Sequence, residues 1–492
     1  MLFNSLHFII FFVVVTSLYF SLPYKYRWQL LLGSSSYFYM AFLPIYILIL
    51  GFTIVVDYFA GIYIEGSEGR KRKFFLILSI IANVGVLAIF KYYNFLNGNL
   101  SSFLAGIGYE NHVPNLSILL PIGLSFHTFQ AMSYTIEVYR GNFKAERHFG
   151  IYALYVMFYP QLVAGPIERP QNVIRQFHQK HNFDYERVVD GLKLMAWGMF
   201  KKVVVADRLA MLTDPVFNSP SEYPAITLAL ATFFFSFQIY CDFSGYSDIA
   251  LGSAKVMGFR LMKNFDRPYS ARSISEFWTR WHISLSSWFR DYLYIPLGGS
   301  RVVIPRWYFN LFFVFVVSGL WHGANWTFII WGALHGFYLV FGIVTAQLRK
   351  KIKSVLSIDK INWLNNLIKV STTFTLVTIA WVFFRANGVR NAIYILKQLP
   401  YSLSEVYFFL TTGNLYLGRT DLSADLSVVY LLLCLFLIIF LETVQFLHSK
   451  YDLLKSLNER PIYVRWTFYY AMVLTVIYFG TFENRQFIYF QF

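Results

Sequence analysis

About ten stretches of this chain are apolar over close to the 20 residues that a helix needs to cross the hydrocarbon core of a bilayer. Over the whole chain, 57% of the residues are hydrophobic and only 14% are charged. Open sheets cannot span lipid, and the stretches lack the alternating pattern of a membrane barrel. We therefore predict an all-α integral membrane protein, a polytopic bundle of roughly 10–13 spanning or re-entrant helices. The stretches include residues 3–22, 74–95, 116–139, 225–241, 307–326, 327–344, 367–384, 428–446 and 466–482.

The basic residues give the chain a net charge of +16 and fall in short clusters between the apolar stretches. Such clusters mark cytoplasmic loops, whereas a nucleic-acid interface would gather them on one soluble face, so we expect no nucleic-acid partner. One orientation places every cluster in the cytoplasm, with the N-terminus outside. It requires residues 29–64 to form a hairpin of two short spans that bends near Pro44. The clusters include residues 25–27, 69–73, 140–147, 349–353 and 450–465.

The first apolar stretch carries no Lys or Arg ahead of it and no small-residue cleavage site, so we expect it to stay in the protein as a span. Cys241 and Cys434 are the only cysteines, and both lie in apolar stretches. This pattern argues against a disulfide framework and against a thiolate metal site. We therefore predict no metal and no redox chemistry.

His322 lies in the stretch VSGLWHGANWTFIIWGALHG, residues 317–336, where the only other ionisable side chain is His335. An ionisable group in hydrocarbon is costly and usually faces a bundle interior or a wet cavity, so its default interpretation is a functional site. We place the chemistry at His322. For His335, in the next span, we prefer a structural role as a hydrogen-bonded histidine of the bundle interior.

The segment SISEFWTRWHISLSSWFRDYLYIPLGGS, residues 273–300, begins with a capping-box pattern, since Ser273 stands three residues before Glu276. Its aromatic side chains recur at near-helical spacing among charged ones, which indicates an interfacial or cavity-lining helix. His282 falls in the middle of that helix. The pattern alone leaves open whether His282 is a packed, hydrogen-bonded histidine or a functional one.

Two further segments interrupt the apolar pattern. Residues 158–170, FYPQLVAGPIERP, contain three prolines, which disfavour a regular helix and fit either a re-entrant loop or an interfacial loop. Residues 241–258 place Asp242 and Asp248 directly after an apolar helix, and their spacing keeps the two carboxylates off one helix face. We expect these aspartates to make structural hydrogen bonds to neighbouring Arg or Lys rather than to form an acid–base pair.

Seven basic side chains crowd the central region on the predicted cytoplasmic side. A basic vestibule suits an anionic carrier such as a phosphorylated coenzyme. Ordinary loop charge attracted to anionic lipid is the alternative, and charge alone favours it. The seven are Lys201, Lys202, Arg260, Lys263, Arg267, Arg272 and Arg280.

The sequences SEFWTRWHISLSSWFRDYLYIPLGG, DFSGYSDIALG, FYPQLVAGP and GLWHGANW resemble, in their order and spacing, the signature motifs of the membrane-bound O-acyltransferases. Within that superfamily the chain is similar to the bacterial alginate O-acetyltransferase branch, including the terminal FIYFQF at residues 487–492. The resemblance spans nearly the whole chain. It implies a helical bundle around a central funnel or tunnel, in which acyl groups pass from a cytoplasmic donor toward an outer acceptor.

The resemblance also implies which residues and partners take part. His322 matches the family's histidine in the WHG motif, and His282 matches its second histidine, in the RWH motif. The implied acyl donor is acetyl-CoA, with no tightly bound cofactor, and the implied partners are a polysaccharide acceptor and a separate extracytoplasmic acyltransferase. An aminoacyl group is the alternative, since related proteins move D-alanine from a carrier protein to teichoic acid. The segment GPIERP departs from the family at Glu168 and Pro170, which leaves the role of that loop open.

The chain contains no G-x-S-x-G elbow and no H-x-x-x-x-D motif, and neither cysteine has a histidine nearby in sequence, so we expect direct transfer without a covalent enzyme intermediate. Burial disfavours the imidazolium form, so neutral His322 is predicted to act as general base on the acceptor hydroxyl. His282 would orient the donor or stabilise the oxyanion, and the reverse weighting stays open. Two other function classes remain, namely a glycan or lipid transporter with a histidine proton relay and a non-catalytic scaffold for an outer transferase.

We predict one transmembrane domain over residues 1–492. Its N-terminal spans lie in residues 1–140, its catalytic core in 141–345 and its C-terminal spans in 346–492. A donor made in the cytoplasm, together with helical spans, places the chain in a bacterial inner (cytoplasmic) membrane as a multi-pass protein surrounded by the lipid bilayer.

Overall fold

A computed structural model describes residues 1–117, 121–163, 165–412, 417, 428–482 and 487–488. Every regular element within these ranges is a helix, so the predicted all-α fold is confirmed. Of the terminal FIYFQF motif, residues 489–492 lie outside the described residues. The central funnel and the number of 10–13 spanning or re-entrant helices stay predictions.

Eight described helical stretches are long and apolar enough to cross a membrane, and the helix Leu6–Ser21 is apolar but only 16 residues long. Each of the eight overlaps a predicted apolar stretch or the predicted hairpin of residues 29–64. The predicted stretch 116–139 overlaps the helix Leu124–Arg140, which is not among the eight, and its residues 118–120 lie outside the described residues. The eight are Tyr46–Glu65, Gly69–Gly106, Ala225–Met257, Ile304–His322, Trp326–Val344, Asn362–Arg385, Val428–Lys450 and Ile462–Phe479.

The chain forms two compact units, and the predicted division at residues 140 and 345 stays a prediction. Unit 1 comprises Met1–Gly198 and Tyr246–Lys263, and unit 2 comprises Met199–Gly245 and Asn264–Phe492. The helices that begin in unit 1 are α1 (Leu6–Ser21), α2 (Tyr24–Met40), α3 (Tyr46–Glu65), α4 (Gly69–Leu87), α5 (Tyr93–Gly106), α6 (Leu124–Arg140), α7 (Phe149–Met157), α8 (Tyr159–Leu162), α9 (Pro170–Phe177) and α10 (Tyr185–Met199).

Unit 2 contains the remaining helices, of which one, α12, ends in unit 1. They are α11 (Asp207–Asn218), α12 (Ala225–Met257), α13 (Ile274–Arg280), α14 (Ile283–Phe289), α15 (Ile304–His322), α16 (Trp326–Val344), α17 (Ala346–Val355), α18 (Asn362–Arg385), α19 (Val389–Gln398), α20 (Ser402–Thr412), α21 (Val428–Lys450), α22 (Leu453–Asn458) and α23 (Ile462–Phe479). Wider π-helical turns at Ala88–Tyr92, Phe200–Ala206 and Arg290–Tyr294 adjoin these helices.

The pair of helices predicted within residues 29–64 is present. α2 ends at Met40, α3 begins at Tyr46, and Pro44 lies in the break between them. Proline has no N–H to continue a helix, which explains why the chain bends there. The bend at Pro44 is therefore confirmed, and the outward N-terminus stays a prediction.

A buried polar network joins α3, α4 and α6 in unit 1. Ser79 Oγ lies 2.5 Å from Asp57 Oδ1 and 3.0 Å from Thr135 Oγ1. The Asn83 side-chain amide donates to Asp57 Oδ2 at 2.8 Å. Hydrogen bonds between small polar side chains stabilise helix pairs in a membrane, so this network fixes the packing of three helices.

The helix α12 runs on to Met257, so the expectation that Asp242 and Asp248 follow the apolar helix is wrong. Within its most apolar window, 78% of α12 is buried in protein, and its polar side chains therefore meet protein partners instead of lipid. Lys202 Nζ lies 2.6 Å from Asp242 Oδ1. The predicted structural pairing of Asp242 with a basic residue is confirmed.

The proline-rich segment 158–170 is buried and mostly irregular, with the short α8 inside it and Ala164 outside the described residues. Glu168 is fully buried and accepts hydrogen bonds from the Asn172 side-chain amide and the Met262 N–H, each at 2.6 Å. Glu168, at which the sequence departs from the family, thus holds two segments of unit 1 together.

The buried carboxyl of Glu168 makes the stability of the protein depend on pH. Burial raises the pKa of Glu168 to about 7 from a usual value of 4.5. Because the pKa is higher in the folded state, the native protein binds more protons between these values, and its stability falls as the pH rises through this window. We expect Glu168→Gln to remove this part of the pH dependence, measured by thermal unfolding in detergent micelles on either side of the window.

The exposed Glu186 provides the matched control, since Glu186→Gln should keep the wild-type dependence on pH. The same fall in stability in Glu168→Gln as in the wild type would refute the assignment to Glu168.

Candidate active site

His322 is the last residue of α15 and is 3% exposed. The rings of Trp321, Trp331 and Phe384 enclose its imidazole, with centroids 4.9, 4.9 and 5.4 Å away. The apolar surroundings predicted for this histidine are therefore confirmed. A neutral imidazole in such a cage can take a proton from a hydroxyl brought against it.

Two glycines allow α15 and α16 to pack closely beside His322. A Cβ on Gly319 would lie 2.2 Å from the carbonyl oxygen of Phe328, and a Cβ on Gly332 would lie 2.2 Å from that of Phe315. Both approaches are to backbone, so no side-chain rotation could make room. Small residues at a helix interface permit this close approach, and here they fix His322 one turn after Gly319.

His282 lies between two short helices, so the expectation that it falls in the middle of one is wrong. α13 ends at Arg280, α14 begins at Ile283, and His282 has left-handed backbone with φ 42°. Two hydrogen bonds to Asn264 hold the turn: the Ile283 N–H donates to its carbonyl and the Ser284 hydroxyl to its side-chain oxygen, at 2.9 and 2.7 Å. Left-handed backbone at a residue other than glycine persists only where tertiary contacts hold it, often at functional sites.

The side chain of His282 is fully buried, with the rings of Phe243 and Trp321 at 4.6 and 6.3 Å. Burial lowers the pKa of His282 to about 3, so its imidazole is neutral at physiological pH. Any role in binding or stabilising a substrate therefore belongs to the neutral ring. Because Trp321 contacts both rings, the structure brings His282 and His322 against the same indole.

His335 makes the kind of contact expected of a structural histidine. The Trp278 indole N–H donates to His335 Nδ1 at 3.3 Å. Trp278 is placed by α13, whose predicted N-cap is confirmed, since Ser273 Oγ accepts from the Glu276 N–H at 3.1 Å. The Trp331 ring lies 5.0 Å from His335 and 4.9 Å from His322, so one indole contacts both histidines.

Lys202 is buried and binds two carboxylates. Its Nζ lies 2.8 Å from Asp207 Oδ1 and 2.6 Å from Asp242 Oδ1. Its charge is therefore matched inside the protein, so Lys202 belongs neither to a basic vestibule nor to exposed loop charge. A buried cation needs such partners because desolvation is costly.

The carboxylate of Asp242 also anchors part of the C-terminal segment near His282. The Ile488 N–H donates to Asp242 Oδ2 at 2.7 Å. The neighbouring Phe487 is buried, and its ring packs 5.7 Å from that of Phe243, which in turn contacts His282. The two described residues of the terminal motif, Phe487 and Ile488, thus form part of the packing behind His282.

A cavity of about 1070 Å³ lies in unit 2 among α13 to α18. Trp278, Phe315 and Tyr338 line it, and their rings lie 4.9, 6.2 and 6.0 Å from His335. At 1.5 Å of rise per residue, about 13 Å of α16 separates His335 from the end of that helix at Val344. Arg349 and Lys353 lie beyond that end, on α17. The basic residues that line the cavity are Arg272, Arg290, Arg349, Lys353 and Lys369.

The cationic lining brings like charges together. Burial first, and then the charges of Lys369 and Arg349, lower the pKa of Lys353. Lys353 Nζ also donates to the Asn365 side-chain oxygen at 3.1 Å. Like charges held this close favour a bound anion. The sequence interpretation missed this cluster, because residues 349–353 there counted only as a topology signal.

Comparisons with known proteins identify the family of the chain. Residues 145–383, which include both predicted histidines, match the model of the membrane-bound O-acyltransferase family. A probable alginate O-acetylase, AlgI, of Pseudomonas aeruginosa is 39% identical over 447 residues, covering 89% of this chain and 81% of the relative. The chain belongs to the membrane-bound O-acyltransferase family. It is an O-acyltransferase of the branch that resembles alginate O-acetylase, and a multi-pass membrane protein.

Other relatives are named for different acceptors. A peptidoglycan O-acetyltransferase of Helicobacter pylori is 36% identical over 403 residues, covering 75% of this chain and 73% of the relative. A teichoic acid D-alanyltransferase of Streptococcus thermophilus is 33% identical over 255 residues, covering 48% of this chain and 59% of the relative. These two acetyl-transferring relatives match 89% and 75% of this membrane-bound O-acyltransferase, and the D-alanyltransferase of Streptococcus thermophilus matches 48%.

Proposed function

We propose that this O-acyltransferase moves acetyl groups from cytoplasmic acetyl-CoA toward hydroxyls of an extracytoplasmic polysaccharide, with a separate extracytoplasmic transferase completing the modification. The observation that carries the proposal is the cavity of unit 2, which reaches from a cluster of cations to the rings around His335. The location would be a bacterial inner membrane, because acetyl-CoA is made in the cytoplasm.

The shape and lining of the cavity fit a coenzyme thioester. Its cationic end, at Arg349, Lys353 and Lys369, would bind the phosphates of the donor. Its aromatic end, at Trp278 and Phe315, would receive the uncharged arm that carries the acetyl thioester. By the positive-inside rule the cluster at residues 349–353 faces the cytoplasm, which is the side that supplies acetyl-CoA.

The chemistry then follows from the cage around His322. The acceptor oxygen forms a bond to the thioester carbonyl carbon while its proton passes to a ring nitrogen of His322. The resulting oxyanion collapses, the C–S bond breaks, and the leaving thiolate takes the proton back from the imidazolium. A general base in this position contributes roughly 100-fold to 10,000-fold to the rate.

His282 is proposed to orient the donor or to stabilise the oxyanion as a neutral ring. Its turn is held by Asn264, so the imidazole is fixed before the substrate binds. Preorganised polar groups of this kind need no reorganisation as charge develops.

Alginate and peptidoglycan are the acceptors named for the relatives that match most of the chain, and they support a polysaccharide acceptor here. D-Alanyl transfer is the alternative, supported by more distant relatives that match 48% of the chain at 33% identity and 67% of it at 24% identity. Acetyl transfer and D-alanyl transfer differ in the mass of the group that becomes esterified to the acceptor.

Neutralising the cationic end of the cavity tests the proposed donor. Exchanging both Lys353 and Lys369 for Gln should raise the KM for acetyl-CoA about tenfold, or about 1.4 kcal/mol. The maximal rate should change little, because the reacting groups are untouched. The measurement is the transfer of radiolabelled acetyl groups to glycan by inverted membrane vesicles from cells that make the native acceptor.

Lys360→Gln is the matched control, since Lys360 is exposed in the same region and does not line the cavity. An unchanged KM in the double variant would refute the donor site. Transfer of a labelled aminoacyl group from a carrier protein, with no transfer of labelled acetyl from acetyl-CoA, would refute acetyl transfer and support the D-alanyl alternative.

A further inference from the structure

Buried hydrogen-bond donors collect beside His322. Trp331 and Trp381 are both fully buried, and their rings stack with centroids 5.7 Å apart at 21°. In the part of the chain that the structure describes, neither indole N–H meets a hydrogen-bond acceptor. A buried Trp N–H usually has a partner, so two such groups in contact are unusual.

A third atom of the same kind belongs to His335. Because His335 Nδ1 accepts from the Trp278 N–H, a neutral His335 carries its own proton on Nε2. Among the described residues this Nε2 also has no partner. The His335 ring lies 5.0 Å from Trp331 and 6.5 Å from Trp381. We call Trp331, His335 and Trp381 the donor cluster.

The chemistry of the donor cluster points to an acceptor. All three atoms are N–H groups, so they match an oxygen with lone pairs and reject a cation. Leaving buried donors without partners destabilises a folded protein, and such groups in a native structure call for an explanation. Here the Trp331 ring lies edge-on to His322 at 4.9 Å, so the cluster borders the predicted general base.

We propose that the donor cluster binds the carbonyl oxygen of the acyl group and stabilises the oxyanion that forms there. This inference rests on the proposed function. As the acceptor oxygen bonds to the carbonyl carbon and its proton passes to His322, the C=O electron pair moves onto the carbonyl oxygen. N–H groups of the cluster bind that charge until the C–S bond breaks and the carbonyl reforms.

The placement of the rings favours the donor cluster over His282 for this role. Trp331 contacts His322 directly, whereas His282 and His322 are linked through Trp321. His335 also contacts three rings that line the cavity, and Trp331 contacts both His335 and His322, so the cluster links the cavity wall to His322 through ring contacts. His282 would then orient the donor or acceptor, which is the other role proposed for it.

Replacing Trp331 with 3-benzothienylalanine removes the N–H and keeps the size of the ring. The kcat of the full-length, lipid-reconstituted protein should fall about 100-fold. The KM for acetyl-CoA should change much less than kcat, because the hydrogen bond to the carbonyl oxygen strengthens as negative charge develops in the transition state. Thermal unfolding should match the wild type, and Trp331→Phe serves as a second variant.

Trp363 lies 69% exposed on α18, and the same replacement there should leave kcat unchanged. An unchanged kcat in the Trp331 analogue would overturn the inference. A lower kcat accompanied by an equal loss of thermal stability in both Trp331 variants would also overturn it, in favour of a packing role.

A binding measurement separates this inference from the proposed function. The probe is the ketone analogue of acetyl-CoA with a methylene in place of sulfur, labelled with ¹³C at the carbonyl. Its infrared carbonyl stretch should move to lower frequency on binding the wild type and return toward the free value in the Trp331 analogue. A bound probe with the same stretch in both proteins refutes the donor cluster and leaves the proposed function standing. A probe that does not bind the wild type refutes the proposed donor and the inference together.

Discussion

Replacing His322 with Gln is expected to lower the rate of acyl transfer by roughly 100-fold to 10,000-fold, the usual contribution of a general base. Glutamine has a similar size and a polar end, so the cage of Trp321, Trp331 and Phe384 should keep its shape. The measurement is label transfer from acetyl-CoA in the vesicles described above, with thermal unfolding in detergent to confirm that the variant is folded.

The exposed His448, near the end of α21, provides the control, and His448→Gln should transfer label at the wild-type rate. His322→Ala is the second variant and should be equally inactive. Near-normal turnover in either folded His322 variant would remove the general base from the mechanism.

Exchanging Lys202 for Met is expected to destabilise the protein by about 3–5 kcal/mol. Lys202 Nζ lies within 2.8 Å of a carboxylate oxygen of both Asp207 and Asp242, and the substitution leaves these buried charges without it. The measurement is the free energy of unfolding in mixed detergent micelles. Activity should fall as well, because Asp242 also binds the Ile488 N–H in the packing behind His282.

The exposed Lys351 gives the matched control, and Lys351→Met should change the unfolding free energy by no more than about 0.5 kcal/mol. Adding Asp207→Asn and Asp242→Asn to Lys202→Met should recover part of the loss, since it removes the unpaired charges. A Lys202→Met protein as stable as the wild type would contradict the buried pairing.

The sequence predicted the spans well because lipid imposes a simple rule. A helix must be apolar over its whole length to meet hydrocarbon, and such stretches are visible without tertiary information. The bend at Pro44 is equally local, since proline cannot continue a helix through the break between α2 and α3. The apolar setting of His322 could be predicted in part, because Trp321 and Trp331 lie in the same apolar run of sequence, whereas Phe384 reaches it from α18 through the fold.

The same rule explains where prediction failed. α12 is buried in protein rather than in lipid, so Asp242 and Asp248 continue the helix that the polar pattern appeared to end. The left-handed turn at His282 depends on hydrogen bonds to Asn264, a residue far from it in sequence. Neither helix continuation nor that turn is encoded in local spacing.

The cavity and the donor cluster also depend on tertiary packing. Residues 349–353 could be recognised as basic, but their meeting with Lys369 and Arg272 requires the fold. A signal for the close packing of α15 and α16 was present, since Gly332 and Gly336 form a G-x-x-x-G pair around His335. The motif alone does not show which helix it packs against, so the contact with α15 could not be predicted.

The most direct test of the central claim is the mass-resolved quantitation of ester-linked acyl groups on envelope and secreted glycans. A deletion strain would be complemented with either the wild type or His322→Ala. We predict that one acyl mass, that of acetyl, is lost in both the deletion strain and the variant while the glycan yield stays the same. Unchanged esters with an altered glycan yield would contradict acyl transfer through His322 and indicate transport instead.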